Sequence, residues 1–173
     1  MKIVNIDLTF QDYPDPCNWA VILYMSGCSN QCPGCQNIKL KDYDIAELDD
    51  SLIECNTADE LNEIVSKQKT KHFTRNIVFS GGDPLFVKNR PIISEFCEKY
   101  GKKYDICIYT GHSIEQVKEW GIKGFKFIKC GRFDQNNARK SGKTENTLTL
   151  ASPNQNFYDG DYNQISKEGV LTF

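Results

Sequence analysis

Along this chain, unbroken apolar runs alternate with stretches whose apolar positions recur every three or four residues. Trp19-Ala20-Val21-Ile22-Leu23-Tyr24-Met25 is rich in β-branched and aromatic residues, the pattern of a strand covered on both faces. Asn76-Ile77-Val78-Phe79-Ser80, Tyr104-Asp105-Ile106-Cys107-Ile108-Tyr109 and Phe125-Lys126-Phe127-Ile128-Lys129-Cys130 read the same way. Between them, Thr57-Ala58-Asp59-Glu60 has capping-box spacing, and Leu61, Ile64 and Val65 follow at helical intervals, which predicts a helix to about residue 69. Pro91 ahead of Ile92, Ile93, Phe96 and Cys97 predicts a second helix opened by proline in its first turn, and a short third helix is expected over 113–120.

Repeated strand and helix imply parallel strands joined by right-handed crossovers, hence the α/β class. A complete (β/α)8 barrel needs about 250 residues. With 173 residues the chain is expected to build a partial, open (β/α) barrel as a single domain over 1–173. From about Gly131 the sequence becomes rich in Asn, Gln, Ser and Gly, which predicts a loop-rich C-terminal segment with short strands near 147–151 and 170–173.

In α/β folds the loops at strand C-termini carry the chemistry. Three features fall there: the cysteine loop after the first run, Ser80-Gly81-Gly82-Asp83-Pro84 after the second, and Tyr109-Thr110-Gly111-His112 after the third. Cys28, Cys32 and Cys35 form a C-x3-C-x2-C triplet. A structural zinc site closes with four ligands, and a cluster normally takes one cysteine per iron. Three thiolates therefore suggest a four-iron cluster with one iron open to a small molecule, which points to an enzyme. Gly81 and Gly82 would let backbone approach a ligand, and Asp83 offers a carboxylate to a cationic amino group.

The alternatives are a zinc site completed by Cys17, Cys55 or a histidine in a non-catalytic interaction module, and a tight ligand-free turn at Gly81-Gly82-Asp83-Pro84. Cys97 and Cys107 occupy apolar positions and read as core, whereas Cys17, Cys55 and Cys130 stay open. Lys129 stands between a ligand contact and a solvated lysine. His112 borders the site, and His72 reads as surface.

Composition narrows the partners. With 39% hydrophobic residues and a formal net charge of −2, nothing favours nucleic acid or an anionic membrane. No apolar run approaches the roughly 20 residues of a membrane span. The opening Met1-Lys2-Ile3-Val4-Asn5-Ile6-Asp7 lacks the apolar stretch of a secretory signal, so the eight cysteines are expected to be reduced thiols in the cytoplasm.

The pairing of C-x3-C-x2-C with a Gly-Gly-Asp strand end resembles the radical S-adenosylmethionine (radical SAM) superfamily. Within it, the chain is similar to the activating proteins of anaerobic (class III) ribonucleotide reductase. The residues carrying that likeness are Asp12-Tyr13-Pro14, Gly27-Cys28 through Cys32-Pro33-Gly34-Cys35 with Asn37, Gly81-Gly82-Asp83-Pro84-Leu85, Thr110-Gly111, Gly131-Arg132-Phe133 and Ser152-Pro153-Asn154-Gln155. The resemblance implies a partial barrel of the radical SAM type and a [4Fe-4S] cluster on Cys28, Cys32 and Cys35. S-adenosyl-L-methionine would chelate the open iron through its amino and carboxylate groups, with Gly34, Cys35 and Gln36 flanking it. Gly81, Gly82 and Asp83 would hold its methionine end, and Thr110 and Gly111 would form a further wall. No side chain is implied as a catalytic acid, base or nucleophile.

It also implies that one electron, from an external donor such as flavodoxin, cleaves the cofactor to methionine and a 5′-deoxyadenosyl radical. That radical would take a glycine α-hydrogen from the large glycyl-radical subunit of the reductase. Activation of another glycyl-radical enzyme, of the pyruvate formate-lyase type, is the alternative partner. Size independently favours a macromolecular substrate, because 173 residues leave little for a separate substrate domain beside the cofactor site. Hydrogen abstraction requires reacting atoms within about 3–3.5 Å, so docking must seat the partner's segment tightly.

Overall fold

The computed structural model describes residues 1–44 and 52–173. Its frame is a seven-stranded sheet built from β1 (Lys2–Thr9), β2 (Ala20–Met25), β3 (Ile53–Glu54), β4 (Asn76–Gly81), β5 (Asp105–Tyr109), β6 (Phe127–Cys130) and β9 (Asn156–Asp159), in the order β3-β1-β2-β4-β5-β6-β9. β2, β4, β5 and β6 run parallel, as strand-helix alternation requires. The edges depart from the expectation of purely parallel strands. β1 pairs antiparallel with β2, β3 with β1, and β9 with β6. The sheet stays open among the described residues, so the fold is mixed α/β and no closed barrel is seen.

Three helices supply the crossovers: α1 (Ala58–His72), α2 (Arg90–Tyr100) and α3 (Ile114–Glu119). Thr57 caps α1 by accepting from the Glu60 N–H at 3.1 Å, and Ser113 with Gln116 closes a reciprocal capping box on α3. Helix α1 runs one turn past the apolar periodicity. Its last turn carries Lys69, Lys71 and His72, which suit the negative end of the helix dipole but carry no apolar signal.

Strand periodicity divides the molecule into two cores. Val21, Leu23 and Met25 of β2, Ile77 and Phe79 of β4, Ile106 and Ile108 of β5, and Ile128 and Cys130 of β6 point to the helices, where Leu61, Val65, Ile93, Phe96 and Val117 cover them. Phe96 anchors this side, edge-on to Phe79 at 5.4 Å and stacked on Tyr104 at 5.7 Å. The alternate residues Ala20, Ile22, Val78 and Cys107 face the other way. They are covered by Tyr13, Phe157 and a small sheet of β7 (Gly142–Lys143), β8 (Thr147–Thr149) and β10 (Val170–Thr172), ordered β10-β8-β7, which brings Leu148, Leu150 and Leu171.

The two short C-terminal strands expected from sequence thus exist, as parts of a layer covering one end of the second face. Arg139 secures this layer, donating from its backbone N–H to Ala151 O and from Nε to Leu150 O. The uncovered end of that face, at the C-termini of the parallel strands, forms a cleft of about 420 Å³. Among the described residues no helix is long and apolar enough to cross a membrane.

Candidate active site

The chain leaves β2 at Met25 and enters a loop that closes on its own stem. The N–H of Gly27 donates to Leu40 O at 2.8 Å and that of Cys28 to Lys41 O at 3.0 Å, so residues 28–40 form a stapled surface loop. Gly27 takes φ +92°, and a Cβ there would meet the Phe86 ring at 2.5 Å. Cys28, Cys32 and Cys35 are all partly exposed and all line the cleft. Burial, the larger cause, and the nearby Asp83 charge push the Cys28 thiol up from its ordinary value.

β4 ends against this loop. The Gly82 N–H donates to Met25 O at 2.7 Å and the Asp83 N–H to Gly27 O at 2.8 Å. The glycines are explained by these contacts as well as by any ligand. A Cβ on Gly81, at φ +107°, would lie 2.3 Å from Met25 N, and one on Gly82 would lie 2.6 Å from both Gly27 O and Leu40 O. Both glycines also line the cleft, as do Gln36, Thr110 and Gly111.

Asp83 and Gly34 are placed differently from the sequence reading. Asp83 is fully buried behind the cleft wall, and its carboxylate is engaged by protein donors. It accepts from Asn30 Nδ2 at 3.0 Å, Leu85 N at 2.9 Å, Thr110 Oγ1 at 2.8 Å and Gly111 N at 3.0 Å. A cationic ligand amino group would have to displace one of these donors. Gly34 lies outside the cleft lining at φ +67°, where a Cβ would meet the Gln135 side chain at 3.0 Å.

Strand parity settles the residues that sequence left open. Lys129 shares the cleft face with Tyr109, while Cys130 turns to the helical core, where burial pushes its thiol up to about 12. Lys129 is 8% exposed, its ammonium has Gly131 O at 3.3 Å, and desolvation holds its pKa below the ordinary value. An under-partnered cation in a cleft favours an anionic ligand group beside it. Half-buried His112 lies outside the lining, with Nε2 3.7 Å from Asp83 Oδ2 and the ring edge-on to Trp120.

Sequence reasoning places Tyr109 at a site-bearing strand end, but it singles out neither Asn30 and Tyr24 nor the C-terminal wall of Ser141, Gly142 and residues 148–151 as lining residues. Parity along β2 and β5 was the available signal for the two tyrosines. Nothing local announced the wall, which arrives from more than a hundred residues away.

The donors fit an iron–sulfur cluster: three soft thiols on one short loop, open to a shared cleft. Cys17, Cys55 and both histidines, the fourth ligands a zinc site called for, lie outside the lining. Cys55 is buried and gives its S–H to Thr57 O. Among the described residues, no three His, Cys, Asp or Glu converge as ligands of one ion. Cluster thiolates bind separate irons and need not converge on a single point.

Comparison with known proteins agrees. The profile of the family described as "4Fe-4S single cluster domain" matches residues 19–156. The anaerobic ribonucleoside-triphosphate reductase-activating protein of Enterobacteria phage T4 is 28% identical over 120 residues, covering 67% of this chain and 72% of that protein. The protein of the same name from Haemophilus influenzae is 26% identical over 125 residues, covering 69% and 77%. That from Escherichia coli is 29% identical over 100 residues, covering 55% and 60%. No solved structure matches.

Proposed function

The chain belongs to the 4Fe-4S single cluster domain family, and on that premise we propose that it is a radical SAM activating enzyme for anaerobic ribonucleotide reductase. The observation that carries this reading is a cysteine triplet lining a cleft whose other walls, among the described residues, offer no further thiol. Held by Cys28, Cys32 and Cys35, a bound cluster would pass on one electron from an external donor to cleave S-adenosylmethionine to methionine and a 5′-deoxyadenosyl radical, and that radical would take a glycine α-hydrogen from the reductase's large subunit. We read the open sheet as a partial barrel of the radical SAM type.

The chain's own residues have distinct parts. Cys28, Cys32 and Cys35 would hold the cluster, and Gly81 and Gly82 let the β4 end pack against the stem of their loop. Lys129 meets an anionic group of the cofactor, and its low exposure strengthens that contact. Tyr24, Tyr109 and the 148–151 wall exclude water from the radical's path. The cleft's about 420 Å³ falls within the about 300–1,000 Å³ usual for small-molecule sites.

The test is anaerobic reconstitution with iron and sulfide, reduction with dithionite, and addition of S-adenosylmethionine, with and without a reductase large subunit. The expected products are 5′-deoxyadenosine and a glycyl-radical signal on that subunit. Deoxyadenosine without the signal would move the proposal to another glycyl-radical partner. Neither product from a protein holding four irons would overturn it, and zinc without acid-labile sulfide would indicate the interaction module.

A further inference from the structure

The middle residue of the three between the first two cysteines is more constrained than a loop position requires. Asn30 is 3% exposed although Ser29 and Gln31 beside it are exposed. Its side-chain amide donates to Asp83 Oδ2 at 3.0 Å, and its own backbone N–H points at Cys28 Sγ at 3.4 Å. Gly111 packs on it so closely that a Cβ there would lie 2.4 Å from Asn30 Nδ2. Three strand-end loops therefore meet at one carboxylate: the cysteine loop through Asn30, the β4 end through Asp83, and the β5 end through Thr110 and Gly111.

We propose that Asn30 is a positioning residue, which Asp83 anchors so that the Asn30 N–H is held on the Cys28 sulfur, setting the geometry and reduction potential of the cluster. The inference rests on the cluster reading above and assigns Asp83 to bracing the cysteine loop. Its physical basis is twofold. A hydrogen bond to an ionised acceptor in a dry site is stronger than a neutral one and is costly to leave unmade. N–H donation to a cluster sulfur stabilises the more negative reduced state, so ordering that donor raises the potential.

The experiment uses the full chain, reconstituted anaerobically, with Asn30→Ala, Asn30→Asp and the exchange variant Asn30→Asp/Asp83→Asn. Iron and sulfide content, the cluster's EPR spectrum and its midpoint potential are measured, with circular dichroism of the metal-free proteins reporting the fold. Asn30→Ala is expected to fold, bind iron, and show a more negative potential with a broadened spectrum. Asn30→Asp sets two carboxylates face to face and is expected to lower cluster retention about tenfold, the size of one charge-assisted hydrogen bond. The exchange variant restores the donor–acceptor pair between positions 30 and 83 but turns an amide NH2 toward the Gly111 N–H, so it is expected to recover part of that loss.

A wild-type potential in Asn30→Ala, undiminished retention in Asn30→Asp, or no recovery in a folded exchange variant would each overturn the inference. If Asn30→Asp does not fold, the potential of Asn30→Ala decides alone. A wild-type protein that assembles no iron–sulfur cluster would instead overturn the function proposed above.

Discussion

The Tyr109 hydroxyl donates to the Asp12 backbone carbonyl at 2.7 Å, joining residues 97 positions apart at the floor of the cleft. Tyr109 sits at the end of β5 and Asp12 in the segment linking β1 to β2, so this bond ties the antiparallel edge of the sheet to its parallel centre. Both line the cleft. Tyr109→Phe is expected to keep the ring's packing and lose the bond, destabilising the metal-free protein by about 1 kcal/mol. Urea unfolding of the two proteins checks this, and equal midpoints would show that the bond contributes nothing.

Lys129 gives a pH dependence of defined sign. Burial lowers its pKa in the folded protein below the ordinary 10.5, so across the interval between those values the unfolded chain binds more protons. Stability of the metal-free protein must therefore rise with pH through that interval, whereas below it this group contributes a constant destabilisation and no pH dependence. Lys129→Met is expected to abolish that slope and to stabilise the metal-free protein by about 1 kcal/mol near neutral pH, because no cation is then desolvated. The same variant should bind S-adenosylmethionine at least about tenfold more weakly, the scale of one lost charged hydrogen bond. Calorimetric titration on reconstituted protein reads that, and unchanged affinity would remove Lys129 from the cofactor site.

Gly81 tests how closely the second strand end must approach the first. At φ +107° with Met25 N 2.3 Å from the place of a Cβ, Gly81→Ala forces both backbone strain and displacement of β2 from β4. A loss above about 3 kcal/mol is expected. Thermal melting of the metal-free variant measures it, and a near-wild-type melting temperature would mean that the strand ends separate without cost.

Cys32 is partly exposed and accepts no hydrogen bond from neighbouring groups among the described residues. Cys32→Ala should leave the metal-free protein within about 0.5 kcal/mol of wild type, as for ordinary surface substitutions. It should also abolish S-adenosylmethionine cleavage. Full cleavage by Cys32→Ala would refute the ligand assignment.

The four parallel strands and three helices were legible because each carries its own signal. The strands are apolar runs ended by glycine or polar residues, and the helices carry caps at Thr57 and Ser113 and a proline at Pro91. β1 carries no clean strand signal. Ile3, Ile6 and Leu8 alternate imperfectly with Asn5 and Asp7, and a register shift between Ile3 and Asn5 breaks the period. β9 has no local signal either, because Asn156-Phe157-Tyr158-Asp159 gains its strand character only by pairing with β6.

By itself the sequence determined the elements, the order in which they recur and the soft ligands on one loop, because periodicity, caps and cysteine spacing are local properties. Only the tertiary structure decided which face of each strand meets the cleft, so that Lys129 lines it and Cys130 does not. It also decided that the C-terminal layer walls the cleft, and that Asp83 turns inward to brace Asn30. The reason is that a strand carries two alternating faces whose roles depend on what packs against each. A buried carboxylate likewise goes to whichever donors the assembled loops present, and those donors come from three places in the chain.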